Sequence, residues 1–398
     1  MTTQRPGWTG SGRTLEALSS AAGSEWEHAV LCGVPADEPA PAVPGVAPER
    51  VHAVRFGDGA EVPFPVAGMS DVMPYTSSVW SSLGPLELEA WRSAWRRAIA
   101  AVLDAERPDV VHVHHAWLGA ALVREAAEVP VVLHGHGTGL RQMVLTPSLH
   151  DEVVAACSQV DALCALHGDH AARYREALGL ALELVHVVGA GYAAERFGPD
   201  PAPADPDTLL FVGKWSEAKG LGPLLEAFER VRVRRPGAVL RLAGGGAGPE
   251  AERLRERATA QPGVEVLGRL SDAELVRAMQ RAQAFVLPSL YEGLPLVLVE
   301  AAAAGCRLVA TALPGVLDAL AEPLEARLHL VPLPRLEGPD RVASEAHASF
   351  VTDLEARLEQ ALAAGPAPAP TETELAPFTW DAVTRRVEAT WRAALSRR

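Results

Sequence analysis

The sequence of 398 residues has no asparagine, a single isoleucine (Ile99) and only two lysines, Lys214 and Lys219. Arginine supplies nearly every other positive charge, the bias that a GC-rich genome produces. Its four cysteines, Cys32, Cys157, Cys164 and Cys306, are too scattered for a disulfide framework or a zinc knuckle and read as small hydrophobes. No apolar run reaches the ~20 residues of a membrane-spanning helix; the uncharged stretch around Ala301 to Cys306 is closed at once by Arg307. Met1 to Arg13 carry Arg, Gly and Trp where an export signal needs an apolar centre. The expected location is therefore cytoplasmic. Basic residues are also in deficit, 36 Lys+Arg against 50 Asp+Glu, a net charge of −14. Such a surface repels a nucleic-acid backbone before local contacts can form, so any anionic ligand needs a local basic pocket.

What is present is an ordinary globular composition, 48% hydrophobic and 22% charged, in a chain long enough for two domains of roughly 150 to 200 residues. Val110 to His114 and Val129 to Leu133 read as short buried strands around a helix-like Ala116 to Ala127, the rhythm of a parallel sheet. Trp26 to Cys32 reads as a further strand, and Leu86 to Ala105 as an amphipathic helix. Four prolines between Pro199 and Pro206 mark a linker. A second strand–helix alternation then runs from Leu209 to Thr311, and Trp380 to Ala394 reads as a last helix. The expected fold is α/β: two Rossmann-like doubly wound domains, with ligands at the carboxyl ends of the strands. The expected boundaries are 1–190, a linker 191–207, a second domain 208–375 and a C-terminal helix 376–398. Gly7 to Gly12 looks like the glycine loop after a first strand, yet only Met1 to Arg5 precede it. Either the natural start lies upstream, or the first residues form a stunted strand at the sheet centre.

The densest signal is Pro288-Ser289-Leu290-Tyr291-Glu292-Gly293-Leu294-Pro295, followed by Glu300 to Gly305. Pro295 suits a first helical turn, leaving neighbouring amides to face an anion, and Glu292 and Glu300 flank that helix start. Both lysines fall five residues apart in one loop, where compact ammonium groups suit a crowded phosphate site. The plainer alternatives are a solvated loop and two helix-associated carboxylates.

These motifs resemble the family 4 glycosyltransferases: the seven-residue interval between Glu292 and Glu300, the loop from Val212-Gly213-Lys214 to Lys219-Gly220, the Gly244-Gly245-Gly246 turn, and Gly268-Arg269-Leu270 occur in the family's order. The resemblance is strong over 208–320 and looser in the first half. It implies a GT-B fold whose C-terminal helix crosses back to the N-terminal domain, and metal-independent retaining transfer of a sugar from a nucleotide diphosphate donor, UDP- or GDP-linked. Lys214 and Lys219 would neutralise the diphosphate, Glu300 would bind the ribose, Glu292 with the Gly293 and Leu294 backbone would hold the sugar, and Leu270 would meet the base. Gly213, Gly10 and Gly12 complete the implied donor contacts. His136, in Val131-Val132-Leu133-His134-Gly135-His136-Gly137-Thr138, matches the family's strand-end histidine and would face the donor sugar; with Lys219 and Glu292 it forms the implied catalytic set. Three departures stand out: Lys214 where arginine is usual, Gly139 where aspartate is common, and Thr311-Ala312-Leu313-Pro314-Gly315 in place of a double-glycine turn.

No metal or other cofactor is expected. Asp205-Pro206-Asp207 spells a metal motif of other glycosyltransferases, but it falls in the proline-rich linker, and strand alternation points His115 away from His112 and His114. The acceptor, whether small molecule, glycan or lipid, is not legible. Trp80, Trp91, Trp95 and Trp117 read as core or as the lining of a sugar or aglycone site, Arg141 as an acceptor or phosphate contact or plain surface, and Arg92, Arg96 and Arg97 as a solvated face or a weak contact with anionic lipid. Two rivals remain: an epimerase or hydrolase on the same fold, and a non-catalytic partner subunit.

Overall fold

The computed structural model describes all residues except 71, 72, 74, 201, 203, 339, 340 and 398. The chain forms two compact units, Met1–Gly191 with Trp380–Arg398, and Tyr192–Thr379.

In the first unit β1 (Val30–Pro35) pairs in parallel with β2 (Val51–Phe56), and two short segments, β3 (Ala67–Gly68) and β4 (Ser78–Val79), pair with each other. A four-stranded parallel sheet follows in the order β5 (Val111–His114), β6 (Val131–His134), β7 (Ala162–Ala165), β8 (Val185–Val187). The start of the chain joins these ladders. The Thr2 amide donates to the Leu31 carbonyl (3.0 Å) and the His114 amide to the Met1 carbonyl (2.9 Å), while Thr2, Thr3 and Gln4 are buried. Residues 1–4 thus occupy the place between β1 and β5 as an abbreviated central strand. Thr9 then caps helix Gly10–Ala21, its hydroxyl accepting from the Gly12 amide. Gly10 and Gly12 accordingly belong to the first helical turn, not to an open loop.

Trp80, Trp91, Trp95 and Trp117 are each at most 2% exposed. Trp80 meets Trp91 and Trp117 edge-on, at ring separations of 5.2 and 5.8 Å. They are core, the geometry that aromatic quadrupoles favour. The three arginines of helix Pro85–Glu106 each meet a carboxylate: Arg92 grips Glu152 with two nitrogens, Arg96 faces Glu125 and Arg97 faces Glu61. Each arginine of that face thus has a carboxylate within 4.0 Å, although Arg96 and Arg97 stay largely exposed. Helix Trp380–Ser396 returns to this unit, packing Val383, Val387, Trp391 and Ala394 against Leu18, Val132 and Cys164.

The second unit is one parallel sheet ordered β11-β10-β9-β12-β13-β14, formed by β9 (Asp205–Lys214), β10 (Val239–Gly245), β11 (Val264–Gly268), β12 (Ala282–Leu287), β13 (Arg307–Thr311) and β14 (Leu328–Val331). Strand order runs outward one way from β9 and the other way from β12, so the topological switch lies between them. Asp205-Pro206-Asp207 opens β9 and does not lie in the linker. Asp205 bonds Arg241 and Arg281, and Asp207 bonds Arg235. The carboxylates are satisfied by guanidinium groups, which is why a metal-like spelling appears at the base of a strand. Helix Leu296–Ala303 begins one residue later than expected: Pro295 is its N-cap, with extended backbone.

Candidate functional site

At the switch between β9 and β12 two loops are locked together. The chain leaves β9 at Lys214, makes a short turn over Glu217–Lys219, and enters helix Leu221–Arg234 through Gly220. The chain leaving β12 donates the Leu290 amide to the Ala218 carbonyl (2.9 Å). That contact brings the Lys219 ammonium onto Oε1 of Glu292. The same oxygen accepts the Ser289 hydroxyl at 2.8 Å, and Ser289 is wholly buried. Lys219 and Glu292 keep 23% and 17% of their side-chain surface, so they sit at the mouth of the switch and not beneath it. This is a site with one cation and one carboxylate already in register, able to divide its charges between an anionic leaving group and neutral hydroxyls.

The neighbouring strands extend it. Gly213 stands opposite Gly244 and Lys214 opposite Gly245 in the β9–β10 ladder. Leu270 follows β11, one strand farther out, half-buried. Glu300 lies beyond the first turn of helix Leu296–Ala303, also half-buried. The loop after β13 differs. The Ala312 amide donates to Val331 and the Leu313 amide to Thr311, and Pro314 has no N–H. Three successive positions therefore offer no donor to a phosphate, the physical content of the missing double glycine.

In the first unit the carboxyl edge of β5 and β6 is built from histidine. His136 is the N-cap of helix Gly137–Leu145 but makes no capping bond with its side chain. Its Nε2 lies 3.0 Å from Nδ1 of His114 instead. Its backbone carbonyl accepts the Tyr174 hydroxyl at 2.8 Å. A Cβ on Gly139 would come within 2.7 Å of that hydroxyl, so the space of the family's aspartate is filled by tyrosine. His112 is bonded to Trp391 Nε1 (2.7 Å) through Nδ1 and to His134 Nδ1 (3.2 Å) through Nε2. Thr138 and His115 also pair, at 3.1 Å. Burial holds all these imidazoles neutral: His112, His114 and His136 fall well below the ordinary value, His134 to about 4 and His115 to about 3. His112, His114 and His134 bring ring nitrogens within 4.8 Å of one another. Sequence spacing had weighed His115 as their companion; the third ring comes from the adjacent strand.

The structure thus brings Lys219 and Glu292 together and sets Gly213 and Lys214 at the end of β9 in the same unit, with Leu270 after β11 and Glu300 in helix Leu296–Ala303. His136, Gly10 and Gly12 belong to the other unit. Sequence reasoning missed Ser289, Tyr174 and His114. Ser289 stands inside the quoted motif, three residues before Glu292, the reach of one turn; the other two carry no local signal.

The sequence model described as Glycosyl transferases group 1 matches residues 206–333, and the one described as Glycosyltransferase Family 4 matches residues 8–196. The chain belongs to the family 4 glycosyltransferases. This glycosyltransferase is 28% identical over 324 residues to glycogen synthase of Mycobacterium tuberculosis, covering 78% of this chain and 76% of that one. It is 30% identical over 243 residues to phosphatidyl-myo-inositol mannosyltransferase of Mycolicibacterium smegmatis, covering 58% and 60%. Among solved structures it is similar to HepE of Anabaena in complex with UDP and glucose, with TM-score 0.64, 16% identity and 98% of both chains covered. It is also similar to sucrose-phosphate synthase of Thermosynechococcus elongatus, with TM-score 0.58, 17% identity, and 87% and 90% covered. The fold is GT-B. Among the described residues no helix is long and apolar enough to cross a membrane.

Proposed function

We propose that this glycosyltransferase moves a sugar, with retention at the anomeric carbon, from a UDP- or GDP-linked donor to an acceptor hydroxyl in the cytoplasm, without a metal ion. The observation that carries the reading is the Lys219–Glu292–Ser289 cluster at the β9/β12 switch. Lys219, with Lys214, holds the diphosphate as it departs, a task of electrostatic stabilisation by groups already in position. Glu292 and the backbone of Gly293 and Leu294 orient the transferred sugar, Glu300 takes the ribose diol, and Leu270 meets the base. His136 bonds a hydroxyl of the reacting sugar. The acceptor hydroxyl attacks on the face that the leaving group vacates, so proximity supplies much of the rate. The printed names of two proteins similar to this chain support the donor class: a GDP-mannose-dependent mannosyltransferase of Xanthomonas campestris and HepE with UDP bound.

A panel of UDP- and GDP-sugars crossed with candidate acceptors, read by product mass, tests the reading. Transfer should survive dialysis against EDTA, and Lys219→Ala should lower turnover by about 100-fold or more. Full activity of Lys219→Ala at unchanged donor affinity removes the leaving-group assignment. Donor consumption that ignores every acceptor favours a hydrolase or epimerase, and absence of sugar-dependent binding favours a non-catalytic subunit.

A further inference from the structure

The four rings His112, His114, His134 and His136 form a two-by-two array on β5 and β6. Along each strand, rings two residues apart lie nearly parallel: His134 and His136 are 4.8 Å apart at 14°, His112 and His114 5.0 Å apart at 26°. Across the strands the pairs are edge to edge. For His114 and His136 the centroids are 5.3 Å apart, the planes 15° apart and the bonded nitrogens 3.0 Å apart; the centroid distance approaches the nitrogen separation plus a ring radius on either side, so the two rings share nearly one plane. His112 and His134 make a similar edge contact, with centroids 5.3 Å and nitrogens 3.2 Å apart but planes inclined by 29°. Within each pair the two nitrogens lie at hydrogen-bond distance from each other.

One row has fixed tautomers. Indole N–H can only donate, so Trp391 makes His112 Nδ1 an acceptor. Neutral His112 then donates from Nε2 to His134 Nδ1, and His134 keeps its proton on Nε2, a buried atom without a partner among the described residues. The other row ends at His136. His136 is 9% exposed, its Nε2 is taken by His114, and the residue is the N-cap of helix Gly137–Leu145, where its side chain makes no capping bond. The positive end of that helix favours a lone pair there over an N–H.

We infer that His114 is a positioning residue: by accepting the Nε2 proton of His136 it locks that ring in one orientation and one tautomer, with Nδ1 presented outward as the acceptor of a sugar hydroxyl. The inference rests on the proposed role of His136 and specifies its tautomer. Two features support the lock. His134 fixes the face of the His136 ring, and Tyr174 fixes its backbone carbonyl, so the ring edge is the one remaining freedom and His114 removes it. Chemistry also distinguishes the replacements. The amide of asparagine places a hydrogen-bonding atom where Nδ1 of histidine stood; leucine fills the volume without one.

The test compares His114→Asn, His114→Leu, His136→Ala and the Leu/Ala double variant of the full chain. ¹⁵N-histidine NMR should show His136 in the wild type with its proton on Nε2 alone, the same in His114→Asn, and a tautomer mixture in His114→Leu. Release of nucleoside diphosphate from UDP-glucose and GDP-mannose, with water as acceptor, should fall about 10-fold or more in His114→Leu and less than about 3-fold in His114→Asn. His114→Leu should add nothing in the His136→Ala background. A His136 spectrum unchanged by leucine overturns the inference by itself, as does equal impairment by asparagine and leucine in folded proteins. If His136→Ala lowers release but His114→Leu does not, the role of His136 stands and that of His114 fails; full release by His136→Ala removes the underlying reading instead. Zinc that binds tightly and shifts the His112, His114 and His134 resonances together would replace the hydrogen-bonded array by a metal site.

Discussion

The Tyr174 hydroxyl bonds the carbonyl oxygen of His136 at 2.8 Å and occupies the room that a side chain at position 139 would need. The aspartate common in the family is thus excluded by a tyrosine from helix Gly168–Leu178. Gly139→Asp should destabilise the protein by about 1–3 kcal/mol, through overpacking and a carboxylate pressed against a bonded hydroxyl. Tyr174→Phe alone should cost about 1 kcal/mol for the lost bond. Combined, the two should cost less than their sum, because phenylalanine vacates the clashing atom. Urea denaturation of the four proteins measures this, and simple additivity would show that the two positions do not compete.

Acid stability follows from the buried imidazoles. Burial first, then neighbouring histidines, keeps His112, His114 and His136 well below the ordinary value, with His115 and His170 down to about 3 and His134 to about 4. Unfolding returns each to about 6.5. Below that pH the unfolded chain binds protons that the folded chain refuses, so stability is complete above about 6.5 and falls as pH drops toward 4. Each such histidine contributes a slope of up to about 1.4 kcal/mol per pH unit. Carboxylates held down by their partners, Glu106 by His52 and then Arg50, and Asp205 by Arg241 and Arg281 against the cost of burial, lose their contribution only at lower pH. Denaturant midpoints measured from pH 7.5 to 4.5 should therefore fall steeply through the 6.5–4.5 interval, and His115→Gln should flatten the curve; a level profile would mean that the rings are solvated.

The alternation of apolar runs with amphipathic segments made the strand–helix order of both halves readable, because burial on both faces leaves continuous runs such as Ala284 to Leu287 and Arg307 to Thr311. Edges of elements were less readable. Asp205 and Pro206 disfavour a strand by propensity, yet guanidinium groups of Arg241 and Arg281 hold Asp205 there. The short central strand of the first unit was one of the two readings that the early glycine loop allowed, and β1 and β5 bond its first two residues from either side. Lys219 and Glu292 were legible as a pair through their motifs. His114 was not, since only a parallel register that sets it opposite His134 brings it diagonally against His136. Contacts made across strands leave no trace in local spacing.

Two glycines govern the donor-side loops. Gly220 and Gly244 have φ of +69° and +105°, and a Cβ on either would overlap the carbonyl of Pro288 or Gly213. Both the backbone conformation and the space exclude other residues. Gly220→Ala should cost about 2 kcal/mol or more, counting the strained backbone and the displaced Leu290–Ala218 contact, and it should separate Lys219 from Glu292. Gly248→Ala is the control: its φ is +94° but its Cβ would meet nothing within 4 Å, so only the backbone strain remains. Thermal denaturation of Gly220→Ala, Gly244→Ala and Gly248→Ala, with donor affinity by calorimetry, should rank Gly220→Ala as the most damaging to binding.

The Lys219–Glu292 pair is exposed enough that it contributes little to stability. With 23% and 17% of their side chains accessible, its coupling should be within the about 0–1 kcal/mol of surface ion pairs. Lys219→Met should therefore leave the denaturation midpoint nearly unchanged while weakening the binding of UDP-glucose or GDP-mannose. Glu292→Gln should retain the Ser289 bond and most of the stability, yet lower turnover more than nucleotide affinity, since the free nucleotide has no sugar for it to hold. Ser289→Ala tests the support beneath them: the buried hydroxyl fixes one oxygen of Glu292, so its loss should raise the KM for the nucleotide sugar and leave UDP or GDP affinity as it was. Should Lys219→Met instead cost about 3 kcal/mol or more, the pair is a buried structural bridge, and its place at the switch is a matter of folding and not of donor recognition.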